Sequence, residues 1–198
     1  GGKFEESGYK VSGGLHGVGA SVVNALSKRM EVTIHKEGVI SNIKFENGGH
    51  TVQKLKQIGT TNRTGTTVTF LPDPEIFKST NFSFTTITER MQESAFLLSG
   101  ITIEVVDEED KRTAKFHYEN GLINFIEYIN DGKTVLHKVI NFNGIKQGIE
   151  VDIALRYQEG YNENILSFVN NVKTGDGGSH ETGFKSGITK AFNDYAKE

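Results

Sequence analysis

The chain of 198 residues predicts an α+β fold in two layered parts. Three observations carry this reading. Short strand-like runs lie close together and are separated by glycine-bearing turns, as in an antiparallel sheet. Four segments between and after them place apolar residues at helical spacing. Finally, Ile149, Val151, Ile153, Leu155 and Tyr157 alternate with Glu150, Asp152, Ala154 and Arg156, which predicts a half-buried strand.

After a loop from Gly1 to Gly19, Val22, Val23, Leu26 and Met30 predict a helix over Ala20 to Met30. Strands follow at Glu31 to His35, Val39 to Phe45 and Thr66 to Leu71, punctuated by Glu37-Gly38, Asn47-Gly48-Gly49 and Thr64-Gly65. Pro72-Asp73-Pro74 ends that sheet, because proline has no N–H for the ladder. A second helix starts near Thr86, where Thr86-x-x-Glu89 has capping-box spacing and Ile87, Met91, Ala95 and Leu98 form one face. Gly100 closes it. Next come a strand at Ile101 to Val106, a charged turn, a strand at Ala114 to Tyr118, and a helix carrying Leu122, Phe125, Ile126 and Ile129. A soft domain boundary is placed near Gly121. Beyond the alternating strand, Ile165 to Val169 reads as its pairing partner. Phe184 to Glu198 reads as a helix with Phe184, Ile188, Ala191, Phe192 and Tyr195 facing inward.

Composition narrows the function classes. With no cysteine there is no disulfide framework, zinc finger, iron–sulfur cluster or thiol nucleophile. A net charge of -3 and a pI near 6.1 give no global basic footprint for nucleic acid. No apolar run approaches the ~20 residues of a membrane span, and no signal peptide is visible. The opening Gly1-Gly2-Lys3-Phe4, without an initiator methionine, reads as an excised fragment. Its 23 glycines stand well above the roughly 7% of average usage, without any collagen-like period.

The densest glycine cluster is Gly13-Gly14-Leu15-His16-Gly17-Val18-Gly19, which runs straight into the first helix. Glycines let successive N–H groups point into one concavity, and a helix start adds unpaired donors and the positive end of its dipole. That is a way to hold a phosphate without lysine. It is not a Walker A loop, since Ala20-Ser21 follows Gly19 where Lys-Ser or Lys-Thr belongs. Nor does Gly14-x-x-Gly17-x-Gly19 after a polar loop match the dinucleotide fingerprint. Glycine count alone favours a tight loop that binds nothing.

What changes the balance is a residue-by-residue resemblance. The cluster resembles the ATP lid of the gyrase, Hsp90, histidine kinase and MutL superfamily. Gly1-Gly2-Lys3-Phe4, Tyr9-Lys10-Val11-Ser12, the Gly13 to Gly19 loop and Ser21-Val22-Val23-Asn24-Ala25-Leu26-Ser27 resemble the B subunit of bacterial type IIA DNA topoisomerases. The likeness continues through Thr64-Gly65-Thr66, Glu93-Ser94-Ala95-Phe96-Leu97, Phe168-Val169-Asn170-Asn171 and Asp176-Gly177-Gly178-Ser179-His180. Within that family, Glu93 to Leu98 and Asn164 to Phe184 resemble the topoisomerase IV B subunit more than the gyrase B subunit.

The resemblance implies the C-terminal part of a two-layer α/β sandwich ATPase domain over 1–120. It also implies, over 121–198, the start of a transducer domain like domain 2 of ribosomal protein S5. It further implies that backbone amides of Gly14, Leu15, His16, Gly17, Val18 and Gly19, with Ala20 at the edge, cradle ATP phosphates. Lys3 meets the phosphate or ribose side, the Tyr9 hydroxyl reaches the adenine edge, and Thr66 forms the pocket floor. Lys36 falls at a rim position often held by arginine, whose planar fork it lacks. The family's general-base glutamate, magnesium-binding asparagine and adenine-reading aspartate lie before its lid, and its γ-phosphate lysine lies after Glu198. No catalytic or metal residue is therefore assigned, and the polypeptide alone is expected to be inactive. For the intact protein the resemblance implies ATP and Mg2+ as cofactors. Its expected partners are DNA, the topoisomerase A subunit in a heterotetramer and a second B subunit on ATP binding, in the cytoplasm. The gyrase B subunit is the nearer alternative, and a non-enzymatic domain with a structural glycine loop the distant one.

Other candidates read as structural. His16, His35, His50, His117, His137 and His180 show no i,i+4 pair and no flanking carboxylate constellation. Asp176 to His180 reads as a turn into the last helix, Glu108 to Arg112 as a solvated turn, and Phe82, Phe84, Phe96 and Phe125 as core.

Overall fold

The structure, a computed structural model, describes residues 17–197. It divides into two compact units, Gly1–Phe82 and Ser83–Glu198. That division falls earlier than Gly121, at the residue preceding a helix cap.

In the first unit a short helix α1 (Gly19–Ala25) precedes four strands, β1 (Ser27–Lys36), β2 (Val39–Glu46), β3 (His50–Thr60) and β4 (Gly65–Pro72). They form an antiparallel sheet in the order β3-β2-β1-β4. A two-residue turn joins β1 to β2 and a three-residue turn, Asn47 to Gly49, joins β2 to β3. Glu37 and Gly38, then Asn47 and Gly48, all have positive φ, as the right-handed twist of a tight hairpin requires. Paired residues share a face, so the register separates the sheet into two chemistries. One face carries the rows Phe45–Met30–Phe70 and Ile43–Val32–Val68; the other carries Lys44–Glu31–Thr69 and Asn42–Thr33–Thr67. On the polar face buried Asn42 donates to Glu31 Oε1 (2.8 Å) and Thr33 Oγ1 (3.0 Å) and accepts from Gln53 (2.8 Å). The Asn42 hydrogen bond and the nearby Lys44 ammonium hold the Glu31 carboxyl below its ordinary pKa.

The helix expected to run to Met30 stops at Ala25. Met30 sits at helical spacing from Leu26 by coincidence; its burial comes from strand parity, opposite Phe45 and Phe70. β3 was not anticipated. Its Gln, Lys and Gly residues and its register shifts against β2 erase alternation, and most of the strand is exposed.

The second unit holds α2 (Phe84–Leu97), β5 (Thr102–Asp107), β6 (Arg112–His117), α3 (Gly121–Ile129), β7 (Ile140–Lys146), β8 (Ile149–Leu155), β9 (Phe168–Val169), β10 (Val172–Lys173) and α4 (Ser179–Tyr195). The cap of α2 is Ser83, whose hydroxyl accepts from Thr86 N–H (3.2 Å), rather than Thr86 itself. Phe96, 2% exposed, is the centre of the core. Its ring stacks on Tyr118 (3.9 Å between centroids) and Phe125 (4.8 Å) and tilts against Tyr128. Gly121 opens α3 with φ +43, and a Cβ there would stand 3.2 Å from Phe96 O. Only glycine lets the start of α3 approach the end of α2 so closely.

The end of the chain corrects four expectations. β8 pairs with the unanticipated β7, not with Ile165–Val169. Of that segment only Phe168 and Val169 form a strand, in a hairpin with β10 turned by Asn170 and Asn171, both at positive φ. β8 ends at Leu155 and leaves Ile149 and Val151 exposed, so its alternation reports sheet parity without full burial. α4 begins at Ser179, and Phe192 and Tyr195 on its expected inner face are exposed.

Two expectations for experiment follow from this packing. Phe96→Ala removes the ring on which three aromatics converge and should lower unfolding free energy by about 3–5 kcal/mol in a urea titration. The second concerns His117. Its Nε2 lies 2.7 Å from Glu119 Oε1 and its Nδ1 3.0 Å from Ile101 O, so both nitrogens face acceptors and the imidazolium satisfies both. Glu119 first, then the Ile101 carbonyl, raises this pKa above its ordinary 6.5. A raised folded-state pKa contributes stability that is complete below the unfolded value and lost as pH rises through the folded one. Thermal melts between pH 5 and 9 (roughly two units either side of the ordinary value) should show that loss, and Glu119→Gln should diminish it.

Candidate functional site

The described part of the glycine cluster is Gly17, Val18, Gly19 and Ala20; Lys3, Tyr9, Gly14, Leu15 and His16 lie outside the described residues. Gly17 has φ +64, the left-handed conformation that turns the chain into α1. Val18 is the N-cap residue and provides no side-chain hydrogen bond, and the first turn of α1 has no acidic residue. The first intrahelical bond is Val22 N–H to Val18 O (2.9 Å). The amides before it are the unpaired donors of the helix start. Gly17, Val18, Gly19 and Ala20 are exposed, and a Cβ on Gly19 would meet nothing within 4 Å. A bare, open and uncapped helix start has the donor chemistry that an anion needs.

The other end of α1 is fixed. Ser27 Oγ donates to Val23 O (2.6 Å), Asp73 N–H to Leu26 O (3.1 Å), and a Cβ at Gly48 would lie 3.3 Å from Ala25 O. The helix is thus anchored at its C-terminus against the β2–β3 turn and the segment after β4.

Thr66 lies on β4 opposite Ile34, in the same face as Val68 and Phe70, and is exposed. Among the described residues no hydrogen bond joins Thr66 to Gly17–Ala20. Lys36 ends β1, exposed, 3.5 Å from Glu37. A largely apolar cleft of about 190 Å3 opens between Val23 of α1, Leu26 just after it, and Phe70, Phe77 and Phe82, at the end of α1 away from the glycines. Among the described residues no group of three His, Cys, Asp or Glu is placed to hold a metal ion.

Asp176–His180 forms the turn into α4, as read from sequence, but His180 also contacts the Thr174 hydroxyl (3.0 Å). Thr174 precedes it by a turn and offers no recognisable spacing.

Comparison with known proteins gives this geometry a context. Residues 121–198 match the DNA gyrase B family model. The DNA topoisomerase 4 B subunit of Bacillus subtilis is 54% identical over 198 residues, covering all of this chain and 30% of that protein. Its namesake from Enterococcus faecalis is 56% identical over 201 residues, covering all of this chain and 29% of its own. The chain therefore spans under a third of the length of these relatives. Among solved structures, the 43K ATPase domain of Thermus thermophilus gyrase B, in complex with an aminocoumarin, superposes with a TM-score of 0.83 at 38% identity. That match covers 91% of this chain and 50% of the other. The B-subunit of Myxococcus xanthus DNA gyrase, at 24% identity and TM-score 0.80 over 88% of this chain and 52% of the other, shares the fold. Along its whole length the chain is thus similar to DNA topoisomerase 4 B subunits, its last 78 residues match the DNA gyrase B family model, and its fold is that of a gyrase B ATPase domain.

Proposed function

We propose that this chain is the nucleotide-binding and transducer part of a topoisomerase IV B subunit, with an ATP-binding portion over 1–120 and a transducer portion over 121–198. The observation that carries the reading is 54–56% identity, across the whole chain, to proteins named as DNA topoisomerase 4 B subunits. The exposed, uncapped start of α1 and the left-handed Gly17 support it.

In this reading the backbone amides of Gly14, Leu15, His16, Gly17, Val18, Gly19 and Ala20 hold the phosphates of ATP. Lys3 neutralises charge, the Tyr9 hydroxyl meets the adenine edge and Thr66 closes the pocket floor. The glycines let the amides approach without side-chain obstruction, and the helix dipole favours the anion by ~0.3–1 kcal/mol beyond the ~1.5–3 kcal/mol of each charge-assisted hydrogen bond. ATP hydrolysis supplies the free energy that the intact protein couples to DNA strand passage, decatenation and relaxation. Mg2+ and the general base come from residues outside this chain. The intact protein pairs with a second B subunit on binding ATP, assembles with the A subunit on DNA, and works in the cytoplasm.

The gyrase B subunit is the second reading, favoured by the gyrase B structural likeness at 38% identity. A supercoiling assay on the reconstituted full-length complex separates the two: relaxation and decatenation without negative supercoiling supports topoisomerase IV.

Replacing Gly17 by Val in the full-length protein forces a β-branched residue into left-handed backbone at a cost of ~1–2 kcal/mol and blocks the amides. Affinity for a non-hydrolysable ATP analogue, measured by calorimetric titration, should fall at least about tenfold. Unchanged affinity would mean the loop is structural only. The purified 198-residue chain should show no steady-state ATP hydrolysis; measurable turnover that disappears on mutating Gly17 or Gly19 would refute the assignment of the base to residues outside it.

A further inference from the structure

The β9–β10 hairpin and the first turn of α4 are joined by a side-chain network that nucleotide binding does not use. Thr174 N–H donates to Ser167 O (2.9 Å), adding one pair to the hairpin. From that pair a chain of contacts runs in both directions. The two hydroxyls are 2.6 Å apart; Ser167 Oγ lies 3.1 Å from Glu181 Oε2, and His180 Nε2 lies 3.0 Å from Thr174 Oγ1. Lys185 Nζ stands 3.1 Å from both Glu181 Oε1 and Glu163 Oε1. Lys185 first, and the Ser167 hydroxyl second, hold the Glu181 carboxyl below its ordinary pKa.

Hydrogens can be counted along this chain. A serine or threonine hydroxyl has one hydrogen to give, and an ionised carboxylate has none. Ser167 O already accepts the Thr174 amide, so the Thr174 hydroxyl hydrogen is not required there, although Ser167 O is also 3.0 Å from Thr174 Oγ1. An ionised Glu181 obliges Ser167 to donate to it. The 2.6 Å contact must then be made by Thr174 donating to Ser167 Oγ. Thr174 Oγ1 is left as an acceptor, and the only hydrogen available to it is on His180 Nε2. With the hydrogen on Nδ1 instead, one of the three contacts would set two lone pairs against each other and its hydrogen bond would be lost.

We infer that the Glu181 carboxylate, acting through Ser167 and Thr174, fixes the neutral ring of His180 as its Nε2–H tautomer, so that His180 is a positioning residue latching α4 to the β9–β10 hairpin. Gly178 is the seat of the ring. A Cβ there would lie 2.7 Å from both His180 Nδ1 and Cε1, so any side chain at 178 displaces the imidazole from Thr174. The unprotonated Nδ1 faces this bare Cα.

The tautomer is directly measurable. Long-range 1H–15N spectra of the full 198-residue chain, with the ring neutral, should show His180 as Nε2–H by at least about tenfold, the ratio set by one hydrogen bond to a charged group. Glu181→Gln should invert it. Lys185 draws the amide oxygen, the amide nitrogen turns to donate to Ser167 Oγ, and every hydrogen in the chain reverses until Thr174 donates to His180. Ser167→Ala cuts the chain and should relax the ratio toward the modest Nε2–H preference of an unconstrained ring. Neither variant alters an atom hydrogen-bonded to His180; Glu181→Gln also removes a charge that acts on the ring directly, whereas Ser167→Ala leaves that charge in place, so a merely structural histidine would not respond to Ser167→Ala. An Nδ1–H ring in the wild-type chain overturns the inference. So does a ratio unchanged within about twofold in whichever of the two variants retains the folded amide spectrum.

Discussion

The register of β1 is the constraint on which the first unit depends. β1 is paired along both edges, to β2 and to β4, so each of its side chains sits between two others at the same level. Because side chains alternate, a one-residue slip would carry Met30, Val32 and Ile34 to the polar face and Glu31 and Thr33 to the apolar one. Asn42 makes the slip especially costly. It is buried, and its amide is engaged by Glu31 and Thr33 from β1 and by Gln53 from β3. Moving one strand would leave the buried Asn42 amide unpartnered at ~1–3 kcal/mol. The polar face therefore reinforces the register that the apolar face already demands, and α1 inherits its position from it through Ser27 and the β2–β3 turn.

The second unit is organised differently. Around Phe96 of α2, Tyr118 just after β6 and Phe125 of α3 stack ring upon ring, and Phe125 extends the series to Phe168 of β9. Aromatic stacking has a preferred geometry as well as an area, so it fixes angles between helices that aliphatic packing would leave loose. Gly121 is the backbone counterpart of that requirement, since the rings of Phe96 and Phe125 approach to 4.8 Å only if their helices also approach. The polar latch beyond β10 does with directional hydrogens what the aromatic stack does with shape.

Legibility in the sequence tracks how local each determinant is. The turns at Glu37-Gly38 and Asn47-Gly48 were readable because positive φ has a short residue list. The helix over Phe84–Leu97 was readable from periodicity, while its cap was misplaced because both Ser83 and Thr86 satisfy the local rule. The end of α1 was not readable, since Val22, Val23, Leu26 and Met30 fit a helix as well as a helix followed by a strand; pairing of Met30 with residues 15 and 40 positions away decides it. β3 and β7 were missed for a related reason. Both are ribbon or edge strands with little burial, so no apolar alternation is demanded of them. The glycine cluster was legible as chemistry only through resemblance, because the property that matters, amides left unpaired at a helix start, is set by φ and by the absence of a cap.

The bare start of α1 departs from the usual preference for a capping side chain. Capping α1 with Ser or Asp at position 18 would stabilise the helix by ~1 kcal/mol, yet Val18 occupies the cap and contributes no hydrogen bond. A capping side chain would consume an amide and, if acidic, would place negative charge where the dipole is positive. A seven-residue helix cannot hold itself together on propensity, so its stability must come from the anchored end. Ser27, Asp73 and the Gly48–Gly49 turn supply that anchorage. The fold thus separates two demands that conflict at a single helix terminus: stability is met at the C-terminus of α1, which leaves its N-terminus without a capping side chain among the described residues.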